Sequence, residues 1–82
     1  MDDAEIIDQI GRLADEERRL EEAHTGAGEG LAPDDARRLQ DLQLTLDRLW
    51  DLLRQRRALR DAGRSPDEAV ERPTGTVEGY LQ

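Results

Sequence analysis

A leucine repeat in the second half of the sequence constrains the fold more than any other feature. Five leucines recur at alternating spacings of three and four residues: Leu39, Leu42, Leu46, Leu49 and Leu53. This spacing places them on one stripe of an α-helix, as in helices that pack side by side. Pro33 suits the first turn of such a helix, and Gly63 is the first residue that can end it. The sequence therefore predicts a helix over residues 33–62.

Residues 2–24 carry a second apolar stripe. Asp2 and Glu5 have the spacing of an N-terminal capping box. Heptad positions then hold four apolar residues: Ile6, Ile10, Leu13 and Leu20. Ile7 and Ala14 widen this stripe along one flank. The glycine-rich residues 25–32 predict a loop, with Gly26 placed to end the helix.

The two stripes match when the chain folds back on itself. Ile6 then faces Leu53, and Ile10 faces Leu49, which predicts an antiparallel two-helix hairpin over residues 1–63.

The sequence after Gly63 predicts a helical turn and then a tail. Ser65 and Glu68 have capping-box spacing and Pro66 suits a first turn, so we expect a short helical turn near residues 66–70. Arg72 precedes a proline, which favours an extended backbone. The predicted fold class is therefore all-α: an antiparallel two-helix hairpin with a short third helical turn and an extended C-terminal tail over residues 64–82.

Four arginines lie close together near the end of the second helix, although the chain has a net charge of −8. They are Arg54, Arg56, Arg57 and Arg60. The hairpin sets this basic end beside the acidic start of the first helix. We therefore expect Arg56, Arg57 and Arg60 to lie near Asp2, Asp3 and Glu5.

Two other roles for the arginines remain open. An acidic protein partner would dock on Arg54, Arg57 or Arg64. Nucleic-acid binding would use Arg54, Arg57, Arg60 and Arg64. The net charge of −8 argues against the second role, because a duplex-binding protein usually presents a broad basic face. No nucleic-acid partner is therefore expected.

Several large apolar residues do not fit the single seam of a hairpin: Leu44, Trp50, Leu52 and Leu59. Burying such a side chain is worth about 1.5–3 kcal/mol, so we expect this set to be covered. A homodimer in the form of a four-helix bundle would cover it. The tail would also cover it through Val77, Tyr80 and Leu81. The predicted interaction residues are Leu44, Trp50, Leu52, Arg54, Arg57, Leu59 and Tyr80.

Reactive side chains are sparse. The chain has no cysteine, which excludes disulfides and thiolate metal sites, and it has one histidine. Glu21 and His24 have Glu-x-x-His spacing, and Glu17 lies one turn earlier, so a carboxylate–histidine metal site is a weak alternative. The simpler interpretation is that His24 lies at the helix C-terminus, where a cation is favoured. Glu17 would then either extend its carboxylate to solvent or pair with Arg38. No enzyme activity, catalytic residue or cofactor is expected.

Five segments carry a resemblance over nearly the whole chain: MDD, DEERRLEE, LDRLWDLLRQRRALRDAG, SPDEAVERP and VEGYLQ. With these segments the chain resembles a small actinobacterial family of unknown function, family 2630. The resemblance implies a helical hairpin, an actinobacterial source and a cytoplasmic location, but no activity. The residues and the resemblance together predict a non-enzymatic protein-interaction module that forms a homodimer. The alternatives are a metal-binding bundle and, more weakly, a nucleic-acid accessory protein. No membrane partner is expected, since no apolar run could cross a bilayer.

Overall fold

The computed structural model describes residues 1–27 and 32–72. Two helices, α1 (Asp3–Ala27) and α2 (Pro33–Asp61), form an antiparallel hairpin, and a single 3₁₀ turn (Pro66–Glu68) follows. Within these residues there is no β-strand. The predicted all-α hairpin is confirmed. The C-terminal residues 73–82, which include Val77, Tyr80 and Leu81, lie outside the described part of the chain.

The start of α1 is closed by the capping box that the sequence predicts. The Asp2 amide donates to a carboxylate oxygen of Glu5 at 3.2 Å, and the Glu5 amide donates to Asp2 at 2.8 Å. These two bonds satisfy amide groups that a helix start leaves without partners. They also occupy Asp2 and Glu5, so neither acid is the main partner of the arginines on α2.

The end of α1 differs from the prediction. The helix runs to Ala27, three residues beyond the predicted end at residue 24, and Gly26 lies inside it. A glycine within a helix costs only about 1 kcal/mol relative to alanine. The glycine therefore did not stop the helix, and the prediction that Gly26 terminates it is wrong. The side chains of residues 24–27 are not among those described.

The end of α2 is set by Gly63, which adopts a positive φ of 75°. The Arg64 amide donates to the Leu59 carbonyl at 2.8 Å, and the Gly63 amide donates to the Arg60 carbonyl at 3.0 Å. This pattern is a Schellman motif, in which the left-handed position falls to glycine because other residues are strained there. The chain consequently reverses after α2 and leads into residues 64–72.

The core lies along the seam between the helices. One cluster of packed side chains contains Ile6 and Ile10 from α1 together with Leu46, Leu49 and Leu52 from α2. Leu13, Leu53 and Ala69 pack against this cluster. Ile10 and Leu49 therefore lie in the same core cluster, as predicted.

Leu52 lies in the core. It was predicted to lie outside the hairpin seam, as an interaction residue covered by a second copy or by the C-terminal tail, and it is 7% exposed and belongs to the core cluster of one chain. The reason is that residues after the 3₁₀ turn close this flank of α2, where Ala69 packs against the core cluster. Leu52 therefore contributes to folding within one chain.

In the described residues, neither helix is long and apolar enough to span a membrane.

Candidate interaction surface

Asp3 joins the two ends of the hairpin. Its carboxylate accepts hydrogen bonds from Nε of Arg56 at 2.5 Å and from a terminal nitrogen of Arg60 at 2.7 Å. The hydrogen bond from Arg60, followed by that from Arg56, holds the pKa of Asp3 below its ordinary value. The predicted approach of the basic end of α2 to the acidic start of α1 is present for these two arginines.

Arg56 also binds the segment that follows the helices. Its side chain is only 8% exposed, and it donates to the Pro66 carbonyl at 3.3 Å and to the Asp67 carboxylate at 3.2 Å. The hydrogen bonds that Arg56 donates to Asp3 and Asp67 raise the pKa of Arg56, with Asp3 as the larger cause. One guanidinium group thus connects α1, α2 and the 3₁₀ turn. Planar arginine suits this role because its donors point in several fixed directions.

Residues 64–72, here called the return segment, run back along α2. The Gln55 side chain donates to the Val70 carbonyl at 2.7 Å and accepts from the Val70 amide at 3.3 Å. One turn earlier on α2, Asp51 accepts from Nε of Arg72 at 3.1 Å and is only 1% exposed. The polar side chains of α2 therefore hold an extended backbone that has no β-strand partner among the described residues.

A groove of about 500 Å³ lies between α2 and the return segment. Six polar or charged residues line it together with Ala58 and Leu59, and most of its surface is apolar because the arginine side chains contribute their aliphatic stems. Leu59 and Leu44, which were predicted to be interaction residues, are both half-buried. Tyr80, the remaining apolar residue of that set, lies outside the described residues.

The opposite flank of α2 carries Trp50, which is 49% exposed. Trp50 and Leu52 are two residues apart and so point about 200° from each other around the helix. Because the return segment covers the side of Leu52 and Arg56, Trp50 lies on the uncovered side. No residue of the return segment is in position to shield it.

Ile7 lies on the same uncovered side and is 58% exposed. Ile7 follows core residue Ile6, and Trp50 follows core residue Leu49, so each is rotated from the seam by about 100° in the same sense. Two antiparallel helices are related by an approximate two-fold axis normal to the plane that contains both. Equal rotations therefore lead to the same face of the hairpin.

The two residues also lie at about the same height along the hairpin. From the contact between Asp3 and Arg56, Ile7 is four residues along α1, and Trp50 is six residues back along α2. These separations correspond to about 6 Å and 9 Å of helix, which differ by less than one turn. We call this surface the Trp50 face and define it by Ile7, Gly11, Ala14, Gln43, Trp50 and Arg57, all of which are exposed.

Two arginines beside Trp50 remain uncommitted. Arg57 lies two turns after Trp50 on the same side of α2, and Arg54 lies one turn after it, between the Trp50 face and the groove. Within the described residues, neither forms an ion pair or a side-chain hydrogen bond. The expectation that Arg57 joins Arg56 and Arg60 at the acidic helix start is therefore wrong. Arg57 is rotated away from Asp3 because it follows Arg56 by about 100° around the helix.

The predicted pair of Glu17 with Arg38 is also wrong. Arg38 binds Glu16 through two bonds of 2.6 Å and 2.9 Å, and these bonds lower the pKa of Glu16. Glu17 is half-buried on the seam side of α1. Among the residues that the structure describes, no group of three potential metal ligands comes together. The His24 side chain, the third member of the alternative metal site, falls outside that part.

Sequence reasoning missed two features of these surfaces. Ile7 was assigned to a widened seam, because Ile6 and Ile7 are adjacent isoleucines and either can serve a heptad position. Gln55 was not singled out, because a glutamine that binds an extended backbone has no periodic pattern. The signal for Ile7 was available, since only Ile6 fits the three-four spacing strictly.

Comparisons with known proteins place the chain in a family. The model of a family described as a protein of unknown function (DUF2630) matches residues 2–82. The uncharacterized protein Rv0898c of Mycobacterium tuberculosis is 44% identical over 80 residues, which cover 95% of this chain and 88% of the relative. The uncharacterized protein Mb0922c of Mycobacterium bovis gives the same values. No solved structure matches. The chain belongs to the DUF2630 family, and its similar relatives are mycobacterial proteins of uncharacterized function.

Proposed function

We propose that this chain is a non-enzymatic protein-interaction module that forms a homodimer through the Trp50 face. The observation that carries the proposal is the exposure of Trp50 at 49% and of Ile7 at 58% on one side of the hairpin. Tryptophan flanked by arginine is the composition of the residues that dominate binding energy at protein interfaces. An exposed pair of this size is best explained by a partner that covers it.

The polar contacts support a structural role for the other conspicuous side chains. Asp3, Arg56 and Arg60 join the helix ends, and Asp51 and Gln55 hold the return segment. The groups that the fold brings together are therefore used to close the monomer, and we assign no catalytic role to any of them. Arg54 and Arg57 are the arginines near Trp50 that remain available to a partner, and they favour an acidic one.

A protein partner is favoured over nucleic acid by the charge balance. The chain has a net charge of −8, and the described pairs already engage Arg56, Arg60 and Arg64 with acids of the same chain. Two uncommitted arginines beside an apolar pair would neutralise few phosphates, whereas duplex binding draws on many such contacts. A second copy of this acidic chain would supply carboxylates that can pair with these two arginines.

Sedimentation equilibrium tests the proposal. At tens of micromolar we expect the wild type to have twice the chain mass of 9.3 kDa. The variant Trp50→Ala should sediment as a single chain with unchanged helix content. Val70→Ala is the matched control, because Val70 is apolar and 64% exposed but lies on the return segment. A wild type that sediments as one chain would overturn the proposal.

A further inference from the structure

We infer that in the homodimer α2 of each copy packs antiparallel on α1 of the other, so that Trp50 lies against Ile7 and Gly11 of the second copy. This inference rests on the proposed function and specifies how its interface is built. It follows from the position of the apolar pair, the symmetry of a two-chain complex and the distribution of charge along the helices.

If the helices of the two copies are aligned, as in a four-helix bundle, two-fold symmetry leaves two arrangements. Two identical hairpins that meet face to face are related by a two-fold axis that lies in the interface. If the axis runs along the helices, α2 of one copy lies on α1 of the other, antiparallel and at unchanged height. If the axis runs across the helices, α1 lies on α1 and α2 lies on α2.

The charges favour the axis that runs along the helices. Residues 2–8 contain four acids and no basic residue, whereas residues 54–60 contain four arginines and no acid. The first arrangement brings these stretches of different copies together. The second arrangement, centred on Ile7 and Trp50, sets the acidic stretch of α1 beside its own symmetry copy. Juxtaposed like charges oppose association, so they disfavour that pairing.

The pairing within the chain already follows the same rule. Asp3 binds Arg56 and Arg60 of its own chain, while Arg54 and Arg57 have no partner in the described residues. In the arrangement along the helices, these two arginines extend over the acidic start of α1 in the second copy. The contact between copies thus repeats the contact within each copy.

The surface around Ile7 has room for an indole. Gly11 lies one turn after Ile7 on α1, and a Cβ atom built on it meets no other atom within 4 Å. Ile7 and Trp50 lie at about the same height, so the arrangement along the helices places each Trp50 over Ile7 and Gly11 of the second copy. The two equivalent contacts give an apolar centre with arginine at its edge, as at many protein interfaces.

Cross-linking between single-cysteine variants tests this arrangement without background, because the wild-type chain has no cysteine. Ala14 lies seven residues after Ile7, and Gln43 lies seven residues before Trp50, so both lie equally far toward the loop and both are exposed. We mix Ala14→Cys with Gln43→Cys, oxidise the mixture and identify the products by mass. The control mixture is Arg12→Cys with Asp41→Cys, two exposed positions outside the Trp50 face.

The inference predicts that the mixed disulfide between Ala14→Cys and Gln43→Cys dominates over both single-variant disulfides, while the control mixture stays unlinked. Adding Trp50→Ala to both chains should weaken dimerisation about tenfold or more, and should remove the cross-link. Dominant single-variant disulfides, or equal linkage of the control, would overturn the arrangement. If the wild type sediments as a dimer but the cysteine variants give no cross-link, the arrangement is overturned and the proposed function stands. A wild type that sediments as one chain would overturn both.

Discussion

Asp3 and Arg56 are 53 residues apart in the sequence, yet the guanidinium of Arg56 donates to the Asp3 carboxylate at 2.5 Å. This contact fixes the start of α1 against the last turns of α2. The same guanidinium reaches the Pro66 carbonyl, so the contact also fixes where the return segment begins. In the part of the chain that the structure describes, the return segment closes one flank of the hairpin, while Trp50 on the other flank is 49% exposed.

The Asp3 contact predicts how stability depends on pH. The bonds from Arg60 and Arg56 lower the pKa of Asp3, and the bond from Arg38 lowers the pKa of Glu16. A carboxyl with a lowered pKa in the folded state stabilises the fold above its unfolded pKa, which is about 3.9 for Asp and about 4.3 for Glu. That stabilisation is lost as the pH falls through the folded pKa.

We therefore expect the urea midpoint to stay level near neutral pH and to fall below about pH 4. Asp3→Asn should lower the midpoint at neutral pH and reduce its fall in acid. Urea titrations followed by circular dichroism between neutral and acidic pH measure both effects. An Asp3→Asn variant with the pH profile of the wild type would show that Asp3 does not link the helices.

Two glycines, one at the end of α2 and one inside α1, provide a matched pair of substitutions. Gly63→Ala should lower the free energy of unfolding by about 1 kcal/mol, because φ is 75° there and an L-residue is strained. In the single chain, at concentrations below the range of dimer formation, Gly11→Ala should raise it by roughly 0.5–1 kcal/mol, because Gly11 is inside α1 and a Cβ meets no atom of the same chain within 4 Å. Urea unfolding measures both. A stabilising effect of Gly63→Ala would contradict the Schellman motif.

Leu52 tests whether the return segment belongs to the folded unit. At 7% exposed, Leu52 should behave as a core residue, and Leu52→Ala should lower the free energy of unfolding by about 2–5 kcal/mol. Val70→Ala, on a side chain that is 64% exposed, should change it by less than about 0.5 kcal/mol. Thermal and urea unfolding measure the difference. Equal small effects would place Leu52 on the surface, as its sequence position alone suggests.

The fold was largely predictable because the apolar residues of its two helices recur at regular spacings. The three-four spacing of leucine in α2 and the Asp2–Glu5 pair in α1 are local patterns with a single structural solution. The antiparallel pairing followed from matching stripe lengths and opposite charges at the ends, and Asp3 does bind Arg56 and Arg60. These patterns were therefore sufficient to predict the hairpin.

The surfaces were less predictable because they depend on contacts without a period. Ala69 packs against the core cluster that contains Leu52, and its position depends on a preceding 3₁₀ turn and on the bonds between Gln55 and the backbone of Val70. Arg38 was predicted to bind Glu17 but binds Glu16. The two glutamates are one residue apart, which is about 100° around the helix. Trp50 was correctly placed outside the seam, but its neighbour Ile7 was found only from its exposure.

Gln55 predicts how the return segment is held. Gln55→Ala removes both bonds to Val70 and the bond of 2.9 Å to Asp51. We expect the Val70 amide to lose its protection from hydrogen exchange while amides in the middle of α2 keep theirs, because local opening does not require unfolding of the hairpin. Gln40→Ala is the matched control, since Gln40 is an exposed glutamine of the same helix, and it should leave the protection of the Val70 amide unchanged. Unchanged exchange at Val70 in Gln55→Ala would contradict this contact.

The fluorescence of Trp50 tests the central claim most directly, because Trp50 is the only tryptophan in the chain. If the Trp50 face joins two copies, the indole is shielded from water in the dimer and half-exposed in the monomer. Emission recorded while the protein is diluted through its dissociation range should move to longer wavelengths, along the same curve as the loss of dimer mass. The account predicts this coupled shift. A Trp50 emission spectrum that does not change with concentration, while the dimer dissociates, would contradict it.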